Sequence, residues 1–203
     1  MKENLIKIYE RSFRENAELP ALTDYGQKNT ISYFELAKRV AKMHAVYREL
    51  GLKQGDKVAL IGKNTSEWVT TFVSTITYGA TIVPILQEFN PLDVQHIVNH
   101  SESLILFATK AIWDNIEFDT LNHVKAVVSI ETGEVFAEKD GEKVFFKDDI
   151  KYADVADDDM VILNYTSGTT GYSKGVMITC ANVTGNAEYG IASKLHYRGT
   201  SNL

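Results

Sequence analysis

Between Lys57 and Ile130, short continuous apolar runs alternate with stretches of helical period, and few architectures accept that alternation. Lys57-Val58-Ala59-Leu60-Ile61 is hydrophobic at successive positions rather than at every second one, the pattern of a strand covered on both faces. Thr81 to Leu86, Leu104 to Ala108 and Val124 to Ile130 repeat it. Between them, Thr65 or Ser66 opens a helix that runs to Tyr78 and stops at Gly79. Asn90 caps a second helix with Pro91 at its first position, and Lys110 to Ile116 makes a short third. Buried strands joined by helices predict an α/β fold, a mainly parallel sheet flanked by helices with right-handed crossovers.

Ahead of this region a helix is expected from about Asn4 to Asn16. Ser32-Tyr33-Phe34-Glu35 reads as a capping box, with the serine as N-cap and the glutamate reaching back to its amide. The helix it opens runs to Leu50, and Gly51 stands where a left-handed C-terminal residue is needed. The chain thus divides into an α/β stretch over 1–130, an acidic connection over 131–159 and a segment over 160–203. The connection holds Asp140-Gly141 as a hairpin turn between EVFAE and KVFFK.

Charge and cysteine content exclude several function classes. With 21 Lys and Arg against 27 Asp and Glu, net −6, no broad basic surface for nucleic acid is present. The single cysteine, Cys180, forms no internal disulfide and reads as a small buried apolar residue of a protein from a reducing compartment. No apolar run approaches the roughly 18 residues that a membrane span needs, and the start has no signal-peptide stretch, so a cytoplasmic protein is expected. NAEYGIASKLHYRG, residues 186–199, mixes apolar and cationic residues and leaves a peripheral membrane contact open, although a helix packed on its own core is the commoner reading. The clusters Asp148-Asp149 and Asp157-Asp158-Asp159 read as solvated loops rather than metal sites, which need spaced oxygen ligands. His96 and His100 stand four apart on one helix, but the string HIVNH lacks the glutamate of a zinc-binding motif, and a surface or packing role is expected.

Chemistry concentrates after the apolar run Met160 to Tyr165. Thr166-Ser167-Gly168-Thr169-Thr170-Gly171-Tyr172-Ser173-Lys174-Gly175 places three glycines, five Ser and Thr hydroxyls and a lysine in ten residues. Glycines let the backbone present several N–H groups to one point, hydroxyls donate without adding charge, and lysine supplies a mobile cation, so the combination suits the β- and γ-phosphates of a nucleotide. By composition alone, a turn or linker is the commoner reading of such a stretch. A P-loop requires glycine directly before lysine and then Ser or Thr, and a dinucleotide turn requires G-x-G-x-x-G; neither string occurs here. Val176-Met177-Ile178 reads as a short strand, with the next helix starting only around Thr179. A helix dipole is therefore not expected to be the main anion holder, and the picture is a hydroxyl-rich loop between two strands.

The ordered string LNYTSGTTGYSK, Leu163 to Lys174, resembles the signature of the adenylate-forming (AMP-binding) enzymes: acyl-CoA synthetases, adenylation domains of peptide synthetases and luciferase-like ligases. GLKQGDKVALIGKNTSEWVTTFVSTITYGATIVPIL and QHIVNHSES are similar to the same family, and SYFELAKRV, ALIGKNTSEW and HIVNHSES are closest in tone to bacterial long-chain fatty-acid–CoA ligases. The resemblance spans 1–203 and implies the N-terminal part of the family's large AMP-binding domain. The downstream AMP- and magnesium-binding segment, the ribose aspartate and the C-terminal lysine are expected in sequence beyond this stretch.

In family terms Thr166, Ser167, Gly168, Thr169, Thr170, Gly171 and Lys174 clamp the pyrophosphate, with Lys174 catalytic. The resemblance implies ATP, Mg2+ and coenzyme A as cofactors and a carboxylate, in first place a fatty acid, as substrate. A non-catalytic nucleotide-binding module and an amino- or aryl-acid enzyme loading a carrier protein are the alternatives, and the stretch taken alone is expected to be inactive. Two departures stand out. Ser173 replaces the usual proline before the lysine, and Thr179-Cys180-Ala181-Asn182 replaces Thr-His-x-Asn. Apolar surface left uncovered in such a part predicts self-association.

Overall fold

Every apolar run read between Lys57 and Ile130 contributes a strand to one sheet. The structure, a computed structural model, describes residues 3–26, 30–138, 152–166 and 173–192. Helices α1 (Leu5–Glu15) and α2 (Tyr33–Glu49) flank a small antiparallel pair, β1 (Pro20–Thr23) and β2 (Thr30–Ser32). The alternating region follows as β3 (Lys57–Ile61), α3 (Ser66–Tyr78), β4 (Thr81–Ile85), α4 (Pro91–His100), β5 (Ile105–Ala108), α5 (Lys110–Trp113) and β6 (Ala126–Ser129). Then come β7 (Val135–Glu138), β8 (Met160–Thr166), β9 (Lys174–Thr179) and α6 (Cys180–Ala192).

The large sheet has the order β7-β6-β5-β3-β4-β8-β9. Its inner strands are parallel, while β7 pairs with β6 and β9 with β8 in antiparallel fashion. Successive residues of β3 serve opposite faces, which is why the run shows no polar alternation. Val58 and Leu60 pack with Ile6, Tyr47 and Ile76 from α1, α2 and α3, whereas Ala59 and Ile61 pack with Val94, Ile97 and Val98 of α4. Because β3, β4, β5, β6 and β8 are parallel, their C-terminal ends share one edge of the sheet, where open α/β sheets carry their ligands.

Helix starts follow the sequence closely. Asn4, Ser32, Thr65 and Asn90 each accept a hydrogen bond from the amide three residues on. Only half of the expected capping box forms, since the Glu35 carboxylate lies against Lys38 Nζ at 3.2 Å instead of turning back to Ser32. Helix α3 ends at Gly79, whose φ of +86° is the left-handed conformation that glycine adopts without penalty. This helix is rich in Thr and Ser yet buried, and its hydroxyls bond backward to carbonyls one turn away, as in Thr70 to Ser66, Ser74 to Thr70 and Thr77 to Val73. From α2, His44 Nε2 meets the Ser74 carbonyl at 2.9 Å and Thr77 Oγ1 at 3.0 Å, and the Tyr47 hydroxyl meets Thr75 Oγ1 at 2.8 Å.

Three differences from the sequence reading have local causes. Val135–Glu138, within EVFAE, adds a strand to the sheet on β6, a pairing the sequence does not announce; the expected turn at Asp140-Gly141 and its second arm KVFFK lie outside the described residues. The helix after β5 stops at Trp113 rather than Ile116, because the chain tightens into i to i+3 bonds at Asn115 and Ile116. The β1–β2 pair carries no strong apolar period and has no counterpart in the sequence reading. Among the described residues no helix is long and apolar enough to cross a membrane.

Candidate functional site

Strand β8 carries the chain from the core to the C-terminal edge of the sheet, and β9 brings it back. The ladder between them pairs Met160 with Thr179, Ile162 with Ile178, Asn164 with Val176, Tyr165 with Gly175 and, at the tip, Thr166 with Lys174. The two ends of the glycine- and hydroxyl-rich stretch are thereby fixed opposite each other, the arrangement expected for a loop between two strands. Of the seven sequence-predicted site residues, Thr166 and Lys174 are placed, both exposed; Ser167, Gly168, Thr169, Thr170 and Gly171 lie outside the described residues. Ser173, the residue in place of proline, is partly buried.

The helix after the hairpin cannot serve the loop. Because β9 runs antiparallel to β8, α6 starts beside Met160, at the opposite edge of the sheet, roughly 20 Å from the tip for six residues of strand. Its first amides are already engaged. Cys180 N–H donates to the Asp159 carbonyl at 2.9 Å and Ala181 N–H to the Asp157 carbonyl at 2.8 Å. Thr179 and Asn182 cap the helix reciprocally, the Asn182 Oδ1 accepting from the Thr179 amide at 3.0 Å. These contacts give the aspartate cluster its role, for Asp159 also accepts the Ala156 amide at 2.9 Å and closes the turn into β8. Asp148 and Asp149 lie outside the described residues. Cys180 is fully buried behind the cap, so the departure from histidine falls in the core.

Sequence reasoning missed the partner of Tyr165. Its phenol ring is buried, and its hydroxyl lies 2.8 Å from Nδ1 of His100, the last residue of α4, with the two rings perpendicular at 5.9 Å. Burial pushes the Tyr165 phenol above its ordinary 10.0, so the hydroxyl keeps its proton at neutral pH. Opposite this ring stands Gly175. A Cβ there would come within 3.1 Å of Leu163 Cδ1, with Tyr165 Cζ at contact distance, 3.4 Å, so the glycine makes room chiefly for the leucine. The His96 and His100 rings lie 5.7 Å apart, and no group of three His, Cys, Asp or Glu side chains that could hold a metal occurs among the described residues. The only available hint was the four-residue spacing of the histidines, which points to a shared helix face but not to a partner on β8.

Two crevices open along the same edge. One of about 240 Å³ is lined by Gly62, Lys63, Trp68, Gln87 and Asn164, which places it beside β8. Its neighbour of about 380 Å³ shares Lys63 and Gln87 and reaches Thr109 and Ile130. At the neck of the hairpin Thr166 and Lys174 offer a hydroxyl and an ammonium side chain, a donor set that fits a polyphosphate, while Glu88 and Glu131 line the crevices beside it.

Known proteins resemble this chain in sequence and in fold. The AMP-binding enzyme family matches residues 9–200. A feruloyl-CoA synthase of an Amycolatopsis species is 30% identical over 156 residues, covering 77% of the chain and 30% of that protein. A long-chain-fatty-acid–CoA ligase of Homo sapiens is 33% identical over 172 residues, covering 78% of the chain and 23% of that protein. The chain therefore spans less than a third of the length of these relatives. Among solved structures, ATP-bound MatB from Rhodopseudomonas palustris superposes with a TM-score of 0.74 at 23% identity, over 95% of this chain and 38% of that one. The anthranilate CoA ligase AuaEII with anthranoyl-AMP gives 0.73 at 22%, over 87% and 34%. At such identities these structures speak for the fold alone.

Proposed function

Because the chain belongs to the AMP-binding enzyme family, we propose that it forms the phosphate-loop portion of an ATP-dependent acyl-CoA synthetase acting on a long-chain fatty acid. The observation that carries this reading is the Thr166–Lys174 rung, which presents the loop at the ligand-bearing edge of the sheet. In the reaction a carboxylate oxygen attacks the α-phosphorus of ATP, the bond to the bridging oxygen breaks, and pyrophosphate leaves with the negative charge. A thiol sulfur of CoA then attacks the acyl carbon, and AMP departs.

Such chemistry rests on positioning and charge neutralisation. Lys174 is the catalytic cation that meets the charge building on the leaving pyrophosphate, while Thr166, Ser167, Gly168, Thr169, Thr170 and Gly171 hold it through hydroxyls and amides. Magnesium, when bound, would share that charge. The same reading places the enzyme in the cytoplasm. It also has the chain, taken alone, self-associate, in keeping with Val176 at 48% and Met177 at 73% exposure on edge strand β9.

A second reading replaces the fatty acid with an aryl acid. Similarity to a feruloyl-CoA synthase favours it as directly as similarity to a fatty-acid ligase favours the first. Carboxylate-dependent ATP–pyrophosphate exchange by the whole enzyme decides between them. Exchange strongest with a sixteen-carbon fatty acid supports the first reading, and exchange strongest with ferulate or anthranilate supports the second. If no carboxylate drives exchange, the chain serves only as a nucleotide-binding module and both readings fall.

A further inference from the structure

The tip of the β8–β9 hairpin has few backbone hydrogen bonds to the rest of the sheet. Strand β8 pairs with β4 at one position, Ile82 with Ile162, and β9 is the outer edge. Beyond Ile162 the backbone of Leu163–Thr166 is laddered to β9, while Leu163 and Tyr165 are buried in one cluster with Val83 and Ile85 of β4. Near the tip, β8 is therefore held to the sheet by side-chain packing rather than by ladder bonds to β4.

Helix α4 adds a polar contact to that packing. Its last turn is locked in place: the Asn99 side chain donates to the Thr120 carbonyl at 2.8 Å and accepts from the Asn122 amide at 2.8 Å, and Ser101 Oγ bonds the Val98 carbonyl at 3.0 Å. His100 stands in that locked turn and meets the Tyr165 hydroxyl at 2.8 Å. Tyr165 in turn pairs in the ladder with Gly175 on the opposite strand, so one contact bears on both strands, each one residue from the tip pair Thr166 and Lys174.

We propose that His100 is a positioning residue for the phosphate loop, acting through Tyr165 to fix the spacing and direction of Thr166 and Lys174. This rests on the reading of the loop as a nucleotide-phosphate site. His100 touches no substrate in this account. Its role is to keep the hairpin tip in one arrangement, so that nucleotide binding does not also have to order it.

Three variants of the whole enzyme test the proposal: His100→Ala, His100→Asn, which keeps a polar atom near the Nδ1 position, and Tyr165→Phe, which removes only the hydroxyl. Loss of one buried hydrogen bond is expected to raise KM for MgATP about five- to tenfold in His100→Ala and Tyr165→Phe. His100→Asn is expected to recover part of the loss. The His100→Ala/Tyr165→Phe double variant is expected to be no worse than the poorer single one, since both remove the same bond. Amide hydrogen exchange on the same proteins is expected to quicken over residues 163–176 and to stay unchanged in β3 and β5. Unchanged KM and unchanged exchange over 163–176 overturn the proposal, as does quickening spread evenly over the fold, which would mark a merely structural histidine. Failure of the function reading is separable: with no exchange activity in the unsubstituted enzyme, the local amide-exchange pattern still decides whether His100 holds the hairpin tip.

Discussion

Thr166 and Lys174 face each other across the last rung of the β8–β9 ladder, so the chain that leaves the sheet at one returns to it at the other. That rung turns a glycine-rich stretch into a loop with a fixed base and sets a cation at one side of it. The positions around the rung should therefore tolerate substitution poorly.

Gly175 is the first of these. Gly175→Ala puts a methyl group 3.1 Å from Leu163 Cδ1, which must give way by a few tenths of an ångström, and at contact distance, 3.4 Å, from Tyr165 Cζ. A loss of about 1 kcal/mol is expected for alanine and about 1–3 kcal/mol for valine, from urea unfolding.

His44 predicts a pH dependence. Desolvation by burial pushes its pKa from 6.5 down to about 4, with the Ser74 carbonyl opposing and the Arg48 charge adding to the fall; the rings of Tyr78 and Tyr152 pack on it. The folded value lies below the unfolded one, so between those two pH values the unfolded chain takes up the proton and the folded one does not. Stability from this group is complete above pH 6.5 and is lost as pH falls towards 4, by on the order of 3 kcal/mol. Urea unfolding at pH 7.5 and pH 4.5 should show a smaller drop in His44→Gln, which keeps a donor for the Ser74 carbonyl but does not titrate; an equal drop would place the sensitivity elsewhere.

Cys180 is fully buried at the first position of α6. Restoring the family's histidine, Cys180→His, adds volume and polar atoms to a filled site, and an expected cost of about 1–3 kcal/mol should appear as a lower unfolding midpoint. Cys180→Ala should cost less than Cys180→His. If the histidine variant is instead more stable, the pocket has room that its burial does not suggest.

How much of this was legible in the sequence depends on the range of the interaction involved. Ser32 and Asn90 cap their helices as expected, and Asn4 and Thr65 cap helices whose starts are expected at or beside them, because capping is decided within four residues. The two-faced burial of Val58 to Ile61 was legible because the run lacks alternation. Glu35 left its expected bond to Ser32 for Lys38, a competition between local partners that a motif does not rank. The contact between His100 and Tyr165 joins residues 65 apart, and nothing in either segment announces the other. The same holds for Val135–Glu138, whose place on the sheet depends on an open edge at β6. At the candidate site the expectation of a stretch running between two strands was legible, and Thr166 and Lys174 stand opposite each other at its ends. Their setting was not: the register of the neck, the glycine beside Leu163 and the distant start of α6 all follow from the antiparallel ladder.

The central claim is that Lys174, held at the neck of this hairpin, neutralises the leaving pyrophosphate. It is tested most directly by carboxylate-dependent ATP–pyrophosphate exchange in the whole enzyme carrying Lys174→Ala. The account predicts a fall in rate of about a hundredfold, the scale for removing one preorganised charge-stabilising donor, with the unfolding midpoint unchanged. Exchange at the unsubstituted rate would contradict it.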